Sequence, residues 1–420
     1  MTIDAKAVLD HIDTDELVKV TLDLANLDSP TGCEGPAADY VYDWLVRQGF
    51  EARKVGLYPN RPNVLATLPG TGGGRSLCFN SHLDTTIHKD EWWTTRHAAD
   101  PIFHSGWREG DVLIGNGVCN CKGPMATWLL AVKAIKDSGV KLKGDLLLMS
   151  VVGEIGLEPV DEFQPPEYLA KEAGTRYAIT HGGVADFALV SEGTDFDIVG
   201  VEAGKAFFKL TVFGDEPLYT PFAPPEPDPV QNPNAIVRLA PMITAFNEWA
   251  ARYSERVYRC PGGTVVPKAV IGAVRSGRPD KITKSTELAI LYLDIRITPD
   301  QHPMDLKREL DRALAPTGVP FDLECFLFRR GYEAEGIEPL ASATRDSHID
   351  EFGDEPGDPA PPVTSMWRDT TPFNEAGIPS LTYGPSSSTG GGNFSVGVAE
   401  LGATARVYAR TALRFCGIAP

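Results

Sequence analysis

The sequence predicts an α/β protein, a catalytic domain with a mixed sheet flanked by helices, into which an α+β two-layer sandwich is inserted. Three observations predict it. A chain of 420 residues is long for a single core. Short apolar runs alternate with helical stretches up to about residue 204 and again after about residue 333. Between them the order changes to strand, helix, two strands, helix, strand. The division expected is 1–204 and 329–420 for the two parts of the catalytic domain, with 205–328 inserted as a second domain.

The elements follow in chain order. Helical periodicity covers 14–28 and 36–48, separated by DSPTGCEG, a turn with Pro and Gly before a helix start. Apolar runs at 63–68, 76–80, 145–152 and 187–191 read as strands, with a helix at 123–138 between two of them. In the insert, AFFKLTVFG, AVIGAV, LAILYLDIRI and a run at 320–328 read as strands. Helices are expected from Pro233 to about Tyr258 and over 303–315. TPFAPPEPDPVQNP and GDEPGDPAPP are loops. A helix, the strand in GIPSLTYGP and a last helix at 398–415 complete the chain.

A net charge of −18 without any Lys/Arg run argues against nucleic acid as a partner. No apolar run reaches the roughly 18 residues of a membrane span, and MTIDAKAVLDHIDTDE is too acidic for a secretory signal, so no membrane partner and a cytoplasmic location are expected. The odd count of seven cysteines reads as reduced thiols. Cys119 and Cys121 form a C-x-C with no second pair at zinc-site spacing, which favours packing over ligation.

Several short stretches fall in one telling order: LDSPTGCEG, SHLDT, GVCNCKGP, VVGEIG, SEGT, VEAGKAFFKLTVFG, LDIRITP and RDTTPFNEAGIPSLTYGP. In these the chain resembles the M20 family of zinc aminoacylases, deacetylases and exopeptidases, which includes acetylornithine deacetylase and succinyl-diaminopimelate desuccinylase. The likeness covers nearly the whole chain. It implies a two-metal hydrolase of amide bonds whose inserted domain forms the homodimer. It also implies that His82 is a ligand oriented by Asp84, that Glu192 ligates the same ion, and that Glu154 ligates a second ion. In another register Glu154 is the general base and a ligand is missing at Ile155.

The departures lie at the reacting centre. Asn120 stands where the resemblance expects a bridging aspartate. Two dications about 4 Å apart repel by roughly 17 kcal/mol at an effective dielectric near 20, and a neutral amide offsets little of it. Gly153 occupies the expected base position when Glu154 is a ligand, and no histidine follows His348, so the last expected ligand is missing too. Asn393 or Gly392 stands there, and Asn393 is assigned to substrate binding. In place of the lid histidine the chain has Leu218 or Tyr219, and Tyr219 is suited to donate to an oxyanion or simply to pack in its loop. Arg368 is suited to grip a substrate carboxylate or to serve as a surface ion pair. The stretch 157–183 is longer than the resemblance expects and is placed near the site, with His181 either a substitute ligand or an exposed loop residue.

Three readings follow. The first is an amidohydrolase acting on an N-acyl amino acid or small peptide with at most one zinc or other divalent ion, held by His82, Glu192 and Glu154 with help from Asn120. The second is a metal-free enzyme using Glu154, Asp84, His82 and Cys119 or Cys121 for cyclisation, elimination or acyl transfer. The third is a non-catalytic protein that binds an amino-acid-like ligand.

Overall fold

The computed structural model describes residues 5–88, 91, 95, 98–164, 166–386 and 394–420. They divide into one unit of 1–200, 334–359 and 368–420 and a second of 201–333 with 360–367. Relative to the expected boundaries, the division falls a few residues away on each side. The short return at 360–367 has no counterpart in the sequence reading.

The first unit is built on a six-stranded sheet of β1 (Glu51–Tyr58), β2 (Arg61–Leu68), β3 (Leu77–His82), β4 (Leu146–Val151), β5 (Phe187–Ser191) and β6 (Ser380–Tyr383). Its spatial order is β1-β2-β4-β3-β5-β6. β3 is parallel to β4 and β5, and β6 is parallel to β5, whereas β2 is antiparallel to both of its neighbours, β1 and β4. The sheet is therefore mixed. Helices α1 (Thr14–Ala25), α2 (Gly35–Arg47), α3 (Lys122–Asp137), α4 (Glu338–Phe352) and α5 (Val398–Cys416) belong to the same unit.

The two-residue period of a strand sorts β4 onto both faces. Leu146 and Leu148 join the core that includes Trp128, Leu129 and Tyr408, while Leu147, Met149 and Val151 join the core that includes Ala178, Ile179 and Phe373. Burial on both faces is why the central strands read as continuous apolar runs. β1 has no such run in its sequence, because it is an edge strand with four exposed residues among its eight. At α1 the Asp13 carboxylate accepts from the backbone of Asp15 at 2.8 Å and Glu16 at 3.2 Å, which fixes the start of the helix.

The second unit has a four-stranded antiparallel sheet in the order 268–276, 288–297, 204–213, 321–329. Helices Ala235–Tyr253 and Pro303–Leu314 share its core with Phe208, Leu210, Leu291 and Leu293, giving an α+β two-layer arrangement.

Candidate active site

Parallel strands point their carboxyl ends to one edge, and ligands in such sheets bind outside those ends. His82 is the last residue of β3, Glu154 follows β4 by three residues, and Glu192 follows β5 directly. One ligand atom from each lies within 4.8 Å of the others, and all three residues are buried.

Asp84 ties this edge together. Its carboxylate accepts from the backbone N–H of Glu154 at 3.0 Å, of Ile155 at 2.9 Å, and from Thr31 Oγ1 at 2.7 Å. His82 Nδ1 lies 3.0 Å from the Asp84 carbonyl and 3.4 Å from its Oδ1, so the ring is held with Nε2 toward Asn120 Oδ1 at 2.7 Å and Glu154 Oε2 at 3.8 Å. Burial opposes a charged imidazole, yet Cys121 and Asp84 outweigh it and hold the His82 pKa well above its usual value. For Asp84, burial is outweighed by His82 and Thr31, and its carboxyl sits below the usual range.

Both candidate ligand carboxylates carry a buried cation. Lys171 Nζ lies 2.8 Å from Glu154 Oε1, and Arg368 Nε lies 3.0 Å from Glu192 Oε2. Burial pushes Glu154 up, but Lys171 and His82 overcome it and lower its pKa. Asp369, next to Arg368, is pushed up to about 7 by burial and by the Glu154 charge. Arg368 is 4% exposed, so it is not a surface ion-pair residue.

Tyr219 belongs to the second unit, is 50% exposed, and has Lys284 Nζ 4.3 Å from its ring centre. Asn393 lies outside the described residues. His181 is exposed and stacks on Tyr177 at 3.8 Å, the loop position rather than a substitute ligand. Cys119 and Cys121 are buried, and burial pushes the Cys119 thiol up to about 12 and raises Cys121, whose Sγ accepts from His82 N–H at 3.2 Å. None of the seven cysteines is in a disulfide. Lys171 and Arg61 carried no signal in the sequence, since neither sits in a motif; Glu34 lies in LDSPTGCEG, but nothing in that stretch marks it as the partner of a residue 27 positions on.

An imidazole and two carboxylates are a donor set that suits a divalent ion such as zinc or manganese. Asn120 adds a neutral oxygen beside His82 Nε2 and no charge.

Comparison with known proteins gives the setting. The family profile described as Peptidase family M20/M25/M40 matches residues 78–414. N-formyl-4-amino-5-aminomethyl-2-methylpyrimidine deformylase of Bacillus subtilis (strain 168) is 35% identical over 203 residues, 46% of this chain and 42% of that protein. Succinyl-diaminopimelate desuccinylase of Gluconacetobacter diazotrophicus is 32% identical over 181 residues, 42% of this chain and 43% of that protein. The chain thus matches less than half the length of these relatives. In fold, human carnosine dipeptidase 1 superposes with a TM-score of 0.70 at 15% identity, covering 98% of both chains. Dug1p, a di-peptidase from Saccharomyces cerevisiae, gives 0.69 at 13% identity, covering 99% of both.

Proposed function

The chain belongs to peptidase family M20/M25/M40, and from that premise we propose that it hydrolyses the amide bond of a small N-acyl amino acid or peptide-like substrate, using at most one divalent ion. The observation that carries this reading is the convergence of His82, Glu154 and Glu192 at the carboxyl edge of three parallel strands. The names of the two relatives, a deformylase and a desuccinylase, support a small acyl group.

A zinc, manganese or cobalt ion would be held by these three side chains, with Asn120 Oδ1 beside them, and would supply Lewis-acid polarisation of the amide carbonyl. The chain's own groups do the rest of the arranging. Asp84 fixes the imidazole and, through the backbone of Glu154 and Ile155, the loop that presents Glu154. Glu154 is read as a ligand and not as the base, because the ammonium of Lys171 lowers its basicity. Arg368 is read as the group that fixes Glu192, in place of the substrate grip expected from the sequence. Asp369, pushed up to about 7, gains and loses a proton within this centre around neutral pH.

A single ion is favoured because Asn120 supplies no shared anion for a second one. A cytoplasmic homodimer joined through the inserted domain belongs to the same reading. It is supported by the edge strand 268–276, where Val270 and Val274 are 55% and 57% exposed. Among the described residues no helix is long and apolar enough to cross a membrane.

The test is hydrolysis of N-formyl and N-succinyl amino acids by protein equilibrated with zinc, manganese or cobalt. Turnover should fall at least about 100-fold in His82→Ala and on chelation. Turnover indifferent to both, or no release of amine from any N-acyl substrate, removes the reading.

A further inference from the structure

The segment between β4 and β5 delivers a lysine that no motif announces. Lys171 is 6% exposed, and its Nζ lies 2.8 Å from Glu154 Oε1, while Glu154 Oε2 faces His82 Nε2 at 3.8 Å. One carboxylate therefore addresses two cation positions, the candidate ion site with one oxygen and an ammonium with the other.

Position 153 shows why the lysine fits. Gly153 has φ +69, and a Cβ built on it would lie 2.3 Å from the carbonyl oxygen of Ala170. Ala170 fills the space that a side chain at 153 would enter, and the next residue carries the ammonium to Glu154. Arg61 anchors the segment, donating from Nη1 to the carbonyls of Pro166 and Leu169 at 3.0 Å each. The same guanidinium pairs with Glu34, whose Oε1 accepts from Gly153 N–H at 3.1 Å.

We propose that Lys171 is a positioning residue that sets a fixed ammonium on the ligand carboxylate of Glu154, as Arg368 sets a guanidinium on Glu192, so that the chain takes one divalent ion, and takes it weakly, instead of two. This rests on reading His82, Glu154 and Glu192 as the ion site. An ammonium bonded to a ligand carboxylate repels an incoming dication and competes for the ligand's charge, in a buried setting where screening is weak. Removing it while keeping Glu154 leaves the three ligands more attractive to the ion.

The experiment is zinc binding to the full chain, stripped by chelator and dialysed against buffered zinc, with equivalents counted by plasma mass spectrometry. Wild type, Lys171→Met and Lys171→Arg are compared, and circular dichroism reports whether each is folded. Wild type should saturate at about one equivalent, Lys171→Met should bind on the order of tenfold tighter or more, and Lys171→Arg should stay near wild type. A wild type that binds no zinc overturns the assignment, whatever Lys171→Met binds. Unchanged or weaker binding in a folded Lys171→Met overturns it, as does absence of binding in all three. Two equivalents in wild type overturn it even where Lys171→Met fails to fold. None of these readouts involves turnover, so a failed substrate search leaves them standing and the two conclusions fall separately.

Discussion

Gly153 shows how much of this centre rests on an absent side chain. Its φ of +69 is open to glycine and costly for other residues, and the nearest atom to a new Cβ is backbone, which does not swing aside. Gly153→Ala should therefore destabilise the protein by roughly 2–4 kcal/mol, read as a lower urea midpoint at unchanged slope. The same substitution should disturb zinc binding, because the backbone N–H of 153 is held by Glu34 and the next residue is Glu154. His82 and Asp84 were legible from the short pattern SHLDT, since a ring and the acid that orients it sit two residues apart at a strand end. Lys171 was not legible. A lysine in a loop reads as solvated, and only the approach of Ala170 to Gly153 turns this one inward.

At the scale of elements, Arg61 at the start of β2 is the tie between α2 and the 166–169 segment. Arg61 is 1% exposed and Glu34 is fully buried, so removal of either leaves an uncompensated charge. Arg61→Met is expected to cost about 3–5 kcal/mol, whereas a double replacement of Arg61 and Glu34 by apolar residues of similar volume should recover much of it in thermal melts. The elements themselves were largely readable. Buried strands with apolar runs and the helices from 123 and 398 announce themselves by period. β1 did not, because at a sheet edge its EARKVGLY keeps charged residues in solvent and shows no continuous apolar run. The Arg61–Glu34 pair is likewise silent in sequence, since 27 positions separate its members and the stretch that holds Glu34 does not point to Arg61.

For the whole molecule, Asp369 links the centre to stability. Its folded pKa of about 7 exceeds the ordinary 3.8, so the native state holds a proton that the unfolded chain gives up, and stability drops as pH rises from about 4 to about 7. Asp369→Asn should flatten that limb and leave the variant stabilised at pH 8, relative to its effect at pH 4, by roughly 1–3 kcal/mol in denaturant titrations across pH. The interrupted architecture carries a further consequence, one of timing. β5 gains its parallel neighbour β6 only after about 190 more residues have been made. At roughly 5–20 residues per second on the ribosome, the edge of β5 waits about 10–40 s for that partner, with Glu192 at its end and Arg368 not yet synthesised. During that interval the nascent first unit presents an open strand to its surroundings, which makes it a candidate for chaperone attention in every round of translation.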